Sequence, residues 1–407
     1  MKSEILTITN DVKWIGITDP DLVSFDIVME TKYGTTYNSY FIDAAKKTII
    51  DTAKEKYKDD YLAKVKAVVR PEEIEYIICN HTEPDHSGNV RHLLKIAPRA
   101  TVVGSGQAIN YLTDMLETPF KYLQVKDGDV LDLGTKKIRF IGAPNLHWPD
   151  SIYTYLEEDQ ILFTCDSFGA HYCHDAMFDD LVGDYTDAYR YYFDVILKPF
   201  SRFMLKAIEK IRPLNISCVC PGHGPILRST WKQKVDMAGK WSNEYMTELR
   251  HDNKNILIAY VSAYGYTKEM AGYIAEGIKS VSDFNVDISD IEHILPGNLE
   301  EKIVRSDAIF IGSPTINQNT VMPVYKLFAL INPIRDRGKL AAAFGSYGWS
   351  GEAVDIIQNH LKQLKLNVIE GGVKAKFYPY NNKALQFIEF GKNIVSALKN
   401  EHGETEK

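Results

Sequence analysis

The sequence has no apolar run approaching the ~20 residues that a membrane-spanning helix needs, and its opening, MKSEILTITNDVKWIG, has no hydrophobic signal core. A cytoplasmic protein is the expectation. Cysteine is sparse: Cys79, Cys165, Cys173, Cys218 and Cys220 are five among 407 residues, an odd number with no CxxC pair. That excludes a disulfide framework as the basis of stability and suits a reducing compartment. Cys218 and Cys220 have strand spacing and point to one face, but small buried apolar residues describe them better than metal ligands do. No block of lysine and arginine occurs, and 47 basic against 54 acidic side chains leave a net charge of −7. This argues against nucleic acid and anionic membranes and for small molecules or proteins as partners. Internal repeats and low-complexity segments are absent as well.

What is present is ordinary in amount, with 45% hydrophobic and 25% charged residues. The length exceeds what one hydrophobic core usually serves, so two domains are expected. Residues 1–250 are rich in short β-like runs with a few helices and no regular alternation, which predicts a mixed-sheet domain. An amphipathic stretch, TWKQKVDMAGKWSNEYMTELR, then leads into the polar segment HDNKN (251–255), the predicted boundary. From 255 to 400 strand-like runs (NILIAYVSA, NVDISDI, DAIFIGSP, KLAAAFGS, NVIEGGVKA) alternate mainly with helical ones. That rhythm predicts a doubly wound parallel sheet in flavodoxin-like order.

The chemistry of the first domain concentrates in HTEPDH, where His81, Glu83, Asp85 and His86 crowd one loop after the apolar run EYIIC. An extended backbone would send His81, Glu83 and Asp85 to one side. Three more candidates stand just beyond strand-like runs: His147 after KIRFIGAP, Asp166 after QILFTC and His223 after ISCVCPG. Any one of these alone reads as a turn or core residue. As a set they predict ligands converging on one sheet edge. This pattern resembles the metallo-β-lactamase fold, whose loop reads H-x-H-x-D-H with further His, Asp and His ligands. Here Glu83 replaces the second histidine. Three carboxylates with four imidazoles make a hard, anionic donor set that suits a pair of irons better than a zinc hydrolase site.

In the second domain the first βα turn, SAYGYTKEM, offers Ser262, Tyr264, Tyr266 and Thr267 around Gly265 at a predicted helix N-terminus. Backbone N–H groups and hydroxyls so placed make a phosphate cradle. Two further strand ends supply Ser313, Pro314, Thr315, Ile316 and Asn317, then Ser346, Tyr347, Gly348, Trp349, Ser350 and Gly351. In flavodoxin-like sheets these loops flank the flavin mononucleotide (FMN) crevice, with Tyr347 and Trp349 offering faces to a flat ring. The lone G-x-G near Gly104 reads as a turn.

Together HTEPDH, His147, Asp166 and His223 with SAYGYT, SPTIN and SYGWSG resemble the flavodiiron proteins over essentially the whole chain. The resemblance implies a metallo-β-lactamase-like αββα sandwich followed by a flavodoxin-like domain. It implies His81, Glu83 and His147 as ligands of one iron, Asp85, His86 and His223 as ligands of the other, and Asp166 as the bridge. It further implies reduction of dioxygen to water, of nitric oxide to nitrous oxide, or both, with electrons passing through FMN. His171 and either Tyr191 or Tyr192, which spacing does not separate, are the expected proton donors beside the metals. The chain has no rubredoxin-like or nicotinamide-binding segment after its fifth C-terminal helix, so an external, rubredoxin-like donor is expected. A head-to-tail homodimer, with a dimer of dimers as the larger form, completes the expectation.

Overall fold

Apolar runs such as IEYII (74–78) and ILFTC (161–165) form strands because their branched and aromatic side chains pack on a pleated surface. The computed structural model describes residues 4–25, 29–249, 255–380 and 382–401. The chain divides into two compact units, Met1–Met246 and Thr247–Lys407. Of the predicted boundary segment, residues 251–254 lie outside the described residues.

The first unit holds two sheets. One runs Leu6–Thr7, Val12–Trp14, Tyr40–Ile42, Lys47–Ile50, Ile74–Ile78, Thr101–Ser105, Tyr122–Val125. The other runs Val130–Asp132, Lys137–Gly142, Ile152–Leu156, Ile161–Cys165, Cys218–Pro221. Period-two alternation divides their side chains between two cores. Trp14, Ile78 and Val103 of the first sheet meet Phe140, Phe163 and Cys220 of the second in one buried cluster, so the sheets pack face to face. The neighbouring Ile77 and Leu162 face outward instead, into the cluster that contains Leu93, Leu112 and Met204 of the covering helices. Helix, sheet, sheet and helix thus form the αββα sandwich.

The second unit is a parallel sheet ordered Asn285–Asp290, Asn255–Tyr260, Ala308–Pro314, Leu340–Tyr347, then Asn367–Val368 and Val373–Lys376. This is flavodoxin-like order. Ile256 and Ile258 belong to one core and Leu257 and Ala259 to the other, as a strand covered on both faces requires. Two details differ from the sequence reading. A helix at Pro296–Arg305 fills a connection where none was expected. The fifth strand is broken in two around Gly371, whose φ of +74° no side-chain-bearing residue adopts readily. Gly104 lies inside the strand Thr101–Ser105 and Gly106 opens the helix Gly106–Leu116, which Ser105 caps by accepting from Ala108 N, so the G-x-G read as a turn is a strand-to-helix junction. Among the described residues no helix is long and apolar enough to cross a membrane.

Candidate metal centre

Four strand ends of the first unit bring the metal candidates together. Ile74–Ile78 leads to His81, Lys137–Gly142 to His147, Ile161–Cys165 to Asp166 and Cys218–Pro221 to His223. The last pair of strands slips register between Phe163 and Cys165, and Cys165 takes φ +48°. Such an irregularity re-aims the next side chain, here Asp166, into the site.

The HTEPDH loop is not extended throughout. Pro84 fixes its own φ and starts the short helix Pro84–Ser87, which includes Asp85 and His86. The side chains therefore do not share one side as the extended reading held; the turn divides them into two groups. His81 Nε2 lies 3.2 Å from Glu83 Oε2 and 3.3 Å from Asp166 Oδ2, and His147 Nε2 lies 3.0 and 3.4 Å from the same two oxygens. On the other side, His86 Nε2 lies 3.4 Å from Asp85 Oδ2 and 3.0 Å from Asp166 Oδ1. His223 Nε2 stands 3.2 and 3.5 Å from those atoms. Asp166 thus gives one oxygen to each group.

Both oxygens of Asp85 and Oδ2 of Asp166 are buried and accept no hydrogen bond. Such acceptors are costly unless a cation faces them. Burial works against charge on the imidazoles, but carboxylates outweigh it. Asp150, Glu83 and Asp166 hold His81 at about 10, Asp166 and Glu83 hold His147 at about 10, and Asp85 and Asp166 hold His86 at about 9. Burial likewise opposes ionisation of Glu83 and Asp166, and the imidazoles still hold both well below the usual carboxylate range. The cluster demands positive charge, and two cations with four imidazoles and three carboxylates answer that demand.

A surrounding layer fixes these groups. Tyr192 is buried while Tyr191 is 40% exposed, and Tyr192 Oη donates to Asp166 Oδ1 at 3.2 Å. Burial and then the Asp166 charge push this phenol well above its usual range, so it keeps its proton. His171 packs against both Tyr192 and His223, with Nδ1 2.9 Å from Thr35 Oγ1 and Nε2 buried without a partner. Burial and the neighbouring His223 push it well below the usual imidazole range, so it is neutral. Sequence reasoning missed Asp150, three residues after His147. Its two oxygens each lie 3.3 Å from His81 Nδ1, and it accepts from Thr82 N and Oγ1, each at 2.7 Å. The only sequence signal was a carboxylate close to a candidate ligand. Cys218 and Cys220 do share a face, with sulfurs 3.9 Å apart in the core, and all five cysteines are free.

In the second unit the three predicted loops converge. Thr267 Oγ1 lies 3.0 Å from Ser346 Oγ and Thr315 N donates to Ser346 O at 2.8 Å, joining the loops at Ser262–Thr267, Ser313–Asn317 and Ser346–Gly351. Gly265, at φ +83°, is the N-cap of the 16-residue helix Tyr266–Val281, and Ser262 Oγ accepts from Lys268 N at 3.3 Å in its first turn. Tyr264 and Trp349 are 83% and 80% exposed, large apolar faces suited to a flat ring. Phe377, also exposed, packs beside Gly348 and adds a fourth loop that the sequence did not indicate. These features fit a flavin phosphate and ring.

Residues 35–224 match the family model for ODP family beta lactamase and residues 258–390 that for flavodoxin. The flavo-diiron protein FprA2 of Clostridium acetobutylicum is 37% identical over 97% of this chain and 99% of its own. A protein of Moorella thermoacetica named nitric oxide reductase is 31% identical over 97% and 99%. Among solved structures, the rubredoxin oxygen:oxidoreductase of Desulfovibrio gigas superposes with a TM-score of 0.65 at 27% identity, covering 98% of this chain and 99% of that one.

Proposed function

The chain belongs to the flavodiiron proteins, an oxidoreductase family with FMN and a diiron site as cofactors, and on that premise we propose that it reduces dioxygen to water, nitric oxide to nitrous oxide, or both. Electrons come through FMN from an external rubredoxin-like donor. The observation that carries the proposal is the division of Asp166, whose two oxygens sort six other side chains into two matched sets. His81, Glu83 and His147 would hold one iron, and Asp85, His86 and His223 the other. When bound, the irons would supply gas binding and reduction, and FMN would supply electron uptake and release.

The chain's own groups do the rest. Dioxygen needs four protons with its four electrons, and Tyr192 Oη is a buried proton held at the edge of the pair. His171, neutral and with Nε2 unpartnered, is placed to orient a donor or pass a proton beside it. Near-complete burial of His81, His86, Asp166 and His223 excludes bulk water, which favours retention of a partly reduced product. The exposed Trp349 of one chain approaching the irons of a second, in a head-to-tail homodimer, would shorten the electron path.

The test is an anaerobic preparation with metal and flavin measured, then reduced and exposed to each gas separately. Two irons and one FMN per chain are expected, with oxygen consumed without stoichiometric peroxide or nitric oxide converted to nitrous oxide. Two zinc ions with hydrolase activity would overturn the reading.

A further inference from the structure

We propose that the two metal positions are built with different reduction potentials, so that the first electron to enter the oxidised pair rests at the position held by Asp85, His86 and His223. The inference rests on the diiron reading above and adds an order to it. The inner donors cannot set that order. Each position has one carboxylate of its own, two imidazoles and one oxygen of Asp166. Any difference must come from what lies behind the ligands.

Behind His81 stands an anion. Asp150 is fully buried, held in place by two donors from Thr82, and faces His81 Nδ1 with both oxygens. An imidazole that donates to a carboxylate is a stronger base toward its metal, which favours the ferric ion. Behind the other position, among the described residues, no carboxylate other than the ligands is hydrogen-bonded to a ligand ring. His223 Nδ1 donates to the neutral carbonyl of Thr36 at 2.5 Å, and His86 Nδ1 is buried without a partner.

Two further groups act in the same direction. Tyr192 donates to Oδ1 of Asp166, the oxygen shared with His86 and His223, and so withdraws electron density from that side alone. Lys54 Nζ lies 5.7 and 5.6 Å from the ring centres of Phe25 and Tyr37, and those rings pack against His223. A cation there favours the ferrous ion. Two carboxylates oppose them: Asp51, which is fully buried and bonded to Asn80 N, and Asp19, which accepts from Tyr37 Oη at 3.5 Å. Neither is hydrogen-bonded to a ligand ring among the described residues, so both work only through space, whereas Asp150 works through a direct contact. The step itself would be one electron from dithionite, relayed by mediators and leaving sulfite as the oxidised product, taken up at one ferric position to give ferrous iron.

The experiment is a reductive titration of the full-length, iron-57-loaded protein by dithionite through mediators, read by Mössbauer and EPR spectroscopy. The comproportionation constant, which sets the mixed-valent population, is compared among variants. Asp150→Asn should raise the lower midpoint and Tyr192→Phe should lower the upper one. Each change then reduces the constant, by about tenfold for every 59 mV of lost separation. If the order were reversed, the same two variants would both raise it. A rise, or no change, in both overturns the inference. Asp150→Glu should restore most of the separation, and Tyr191→Phe should leave it unaltered. Should Asp150→Asn fail to load iron, the Tyr192→Phe result decides alone. Protein that holds no diiron pair would overturn the underlying reading as well, an outcome distinct from two irons with the wrong order.

Discussion

Gly222 passes so close to His86 that a Cβ added there would lie 2.7 Å from His86 Cε1 and 3.0 Å from the carbonyl carbon of Cys165. The backbone cannot give way easily, because Gly222 N donates to Cys165 O and Gly222 O accepts from Asn38 N, so the His86 ring is what must move. Gly222→Ala should therefore displace His86 and weaken only the position it shares with Asp85 and His223. Iron should fall toward one ion per chain while FMN content is unchanged. Metal analysis with Mössbauer spectroscopy checks this, and full retention of both irons would show that the ring shifts without loss.

Much of this site was legible because each metal candidate directly follows an apolar run, and strand ends of one sheet converge. The division of the HTEPDH loop came only through the family resemblance, since period-two reasoning ignored the helical turn that Pro84 starts. Tyr191 and Tyr192 are one residue apart on a helix, about 100° around its axis, and local sequence does not say which turns inward. Asp150 was hidden for a different reason. A carboxylate that supports a ligand obeys no spacing rule; it is found only when Thr82 and His81 are seen around it. In the second unit, PGNLEEKIVR was passed over because only Leu299 and Ile303 of that helix are buried, too narrow a stripe among charges.

The shared role of Asp166 distinguishes it from every other ligand. Asp166→Ala removes an oxygen from both positions, so both irons should be lost. Glu83→Ala removes an oxygen from one position only and should leave close to one iron per chain. Iron-to-protein ratios in anaerobically purified variants compare the two directly. Equal losses would argue against a bridge.

At the phosphate turn, Gly265 has a φ of +83° and open space around it, so a side chain there is opposed by the backbone and not by crowding. A non-glycine residue in the left-handed region costs about 1–2 kcal/mol. Gly265→Ala should thus weaken FMN binding by about tenfold, and Gly265→Asp by more, since it sets an anion beside the phosphate. Flavin fluorescence titration of the apoprotein measures both. The ranking Asp worse than Ala is the informative part, because backbone strain alone predicts no difference.

Stability should also depend on alkaline pH through Lys64. Its Nζ donates to Gly16 O at 2.5 Å and lies 4.4 Å from the Trp14 ring centre. Burial pulls this ammonium down from the usual 10.5 to about 8, although Asp60 opposes the shift. A lowered folded-state value means the charged form is disfavoured by folding. The cost is full below about pH 8, where both states are charged, and fades between about 8 and 10.5 as the folded amine deprotonates first. Lys64→Met keeps the packing on Trp14 and removes the charge. It should improve stability relative to the parent at pH 7, by about 1–2 kcal/mol after allowance for partial exposure, and lose that advantage near pH 10. Denaturant melts at the two pH values test the difference.

The last prediction concerns how electrons reach the irons. Trp349 projects from the flavin crevice with 80% of its surface exposed, more apolar area than a solvent-facing loop needs, and a partner chain is what the proposed dimer would place against it. Mixed dimers separate transfer between chains from transfer within one. One chain carries Asp85→Ala with His223→Ala, which disables the irons; the other carries Gly265→Asp with Thr267→Ala, which disables FMN. Each is first shown to fold and dimerise. A two-fold head-to-tail pair has two flavin–iron junctions, and the mixed dimer keeps one of them whole. If transfer runs between chains, the isolated mixed dimer should recover roughly half of the parent's turnover, and a randomly paired equal mixture about a quarter, although each homodimer is inactive. Transfer within a chain leaves no complete path in any molecule, and the mixture would then stay as inactive as its components.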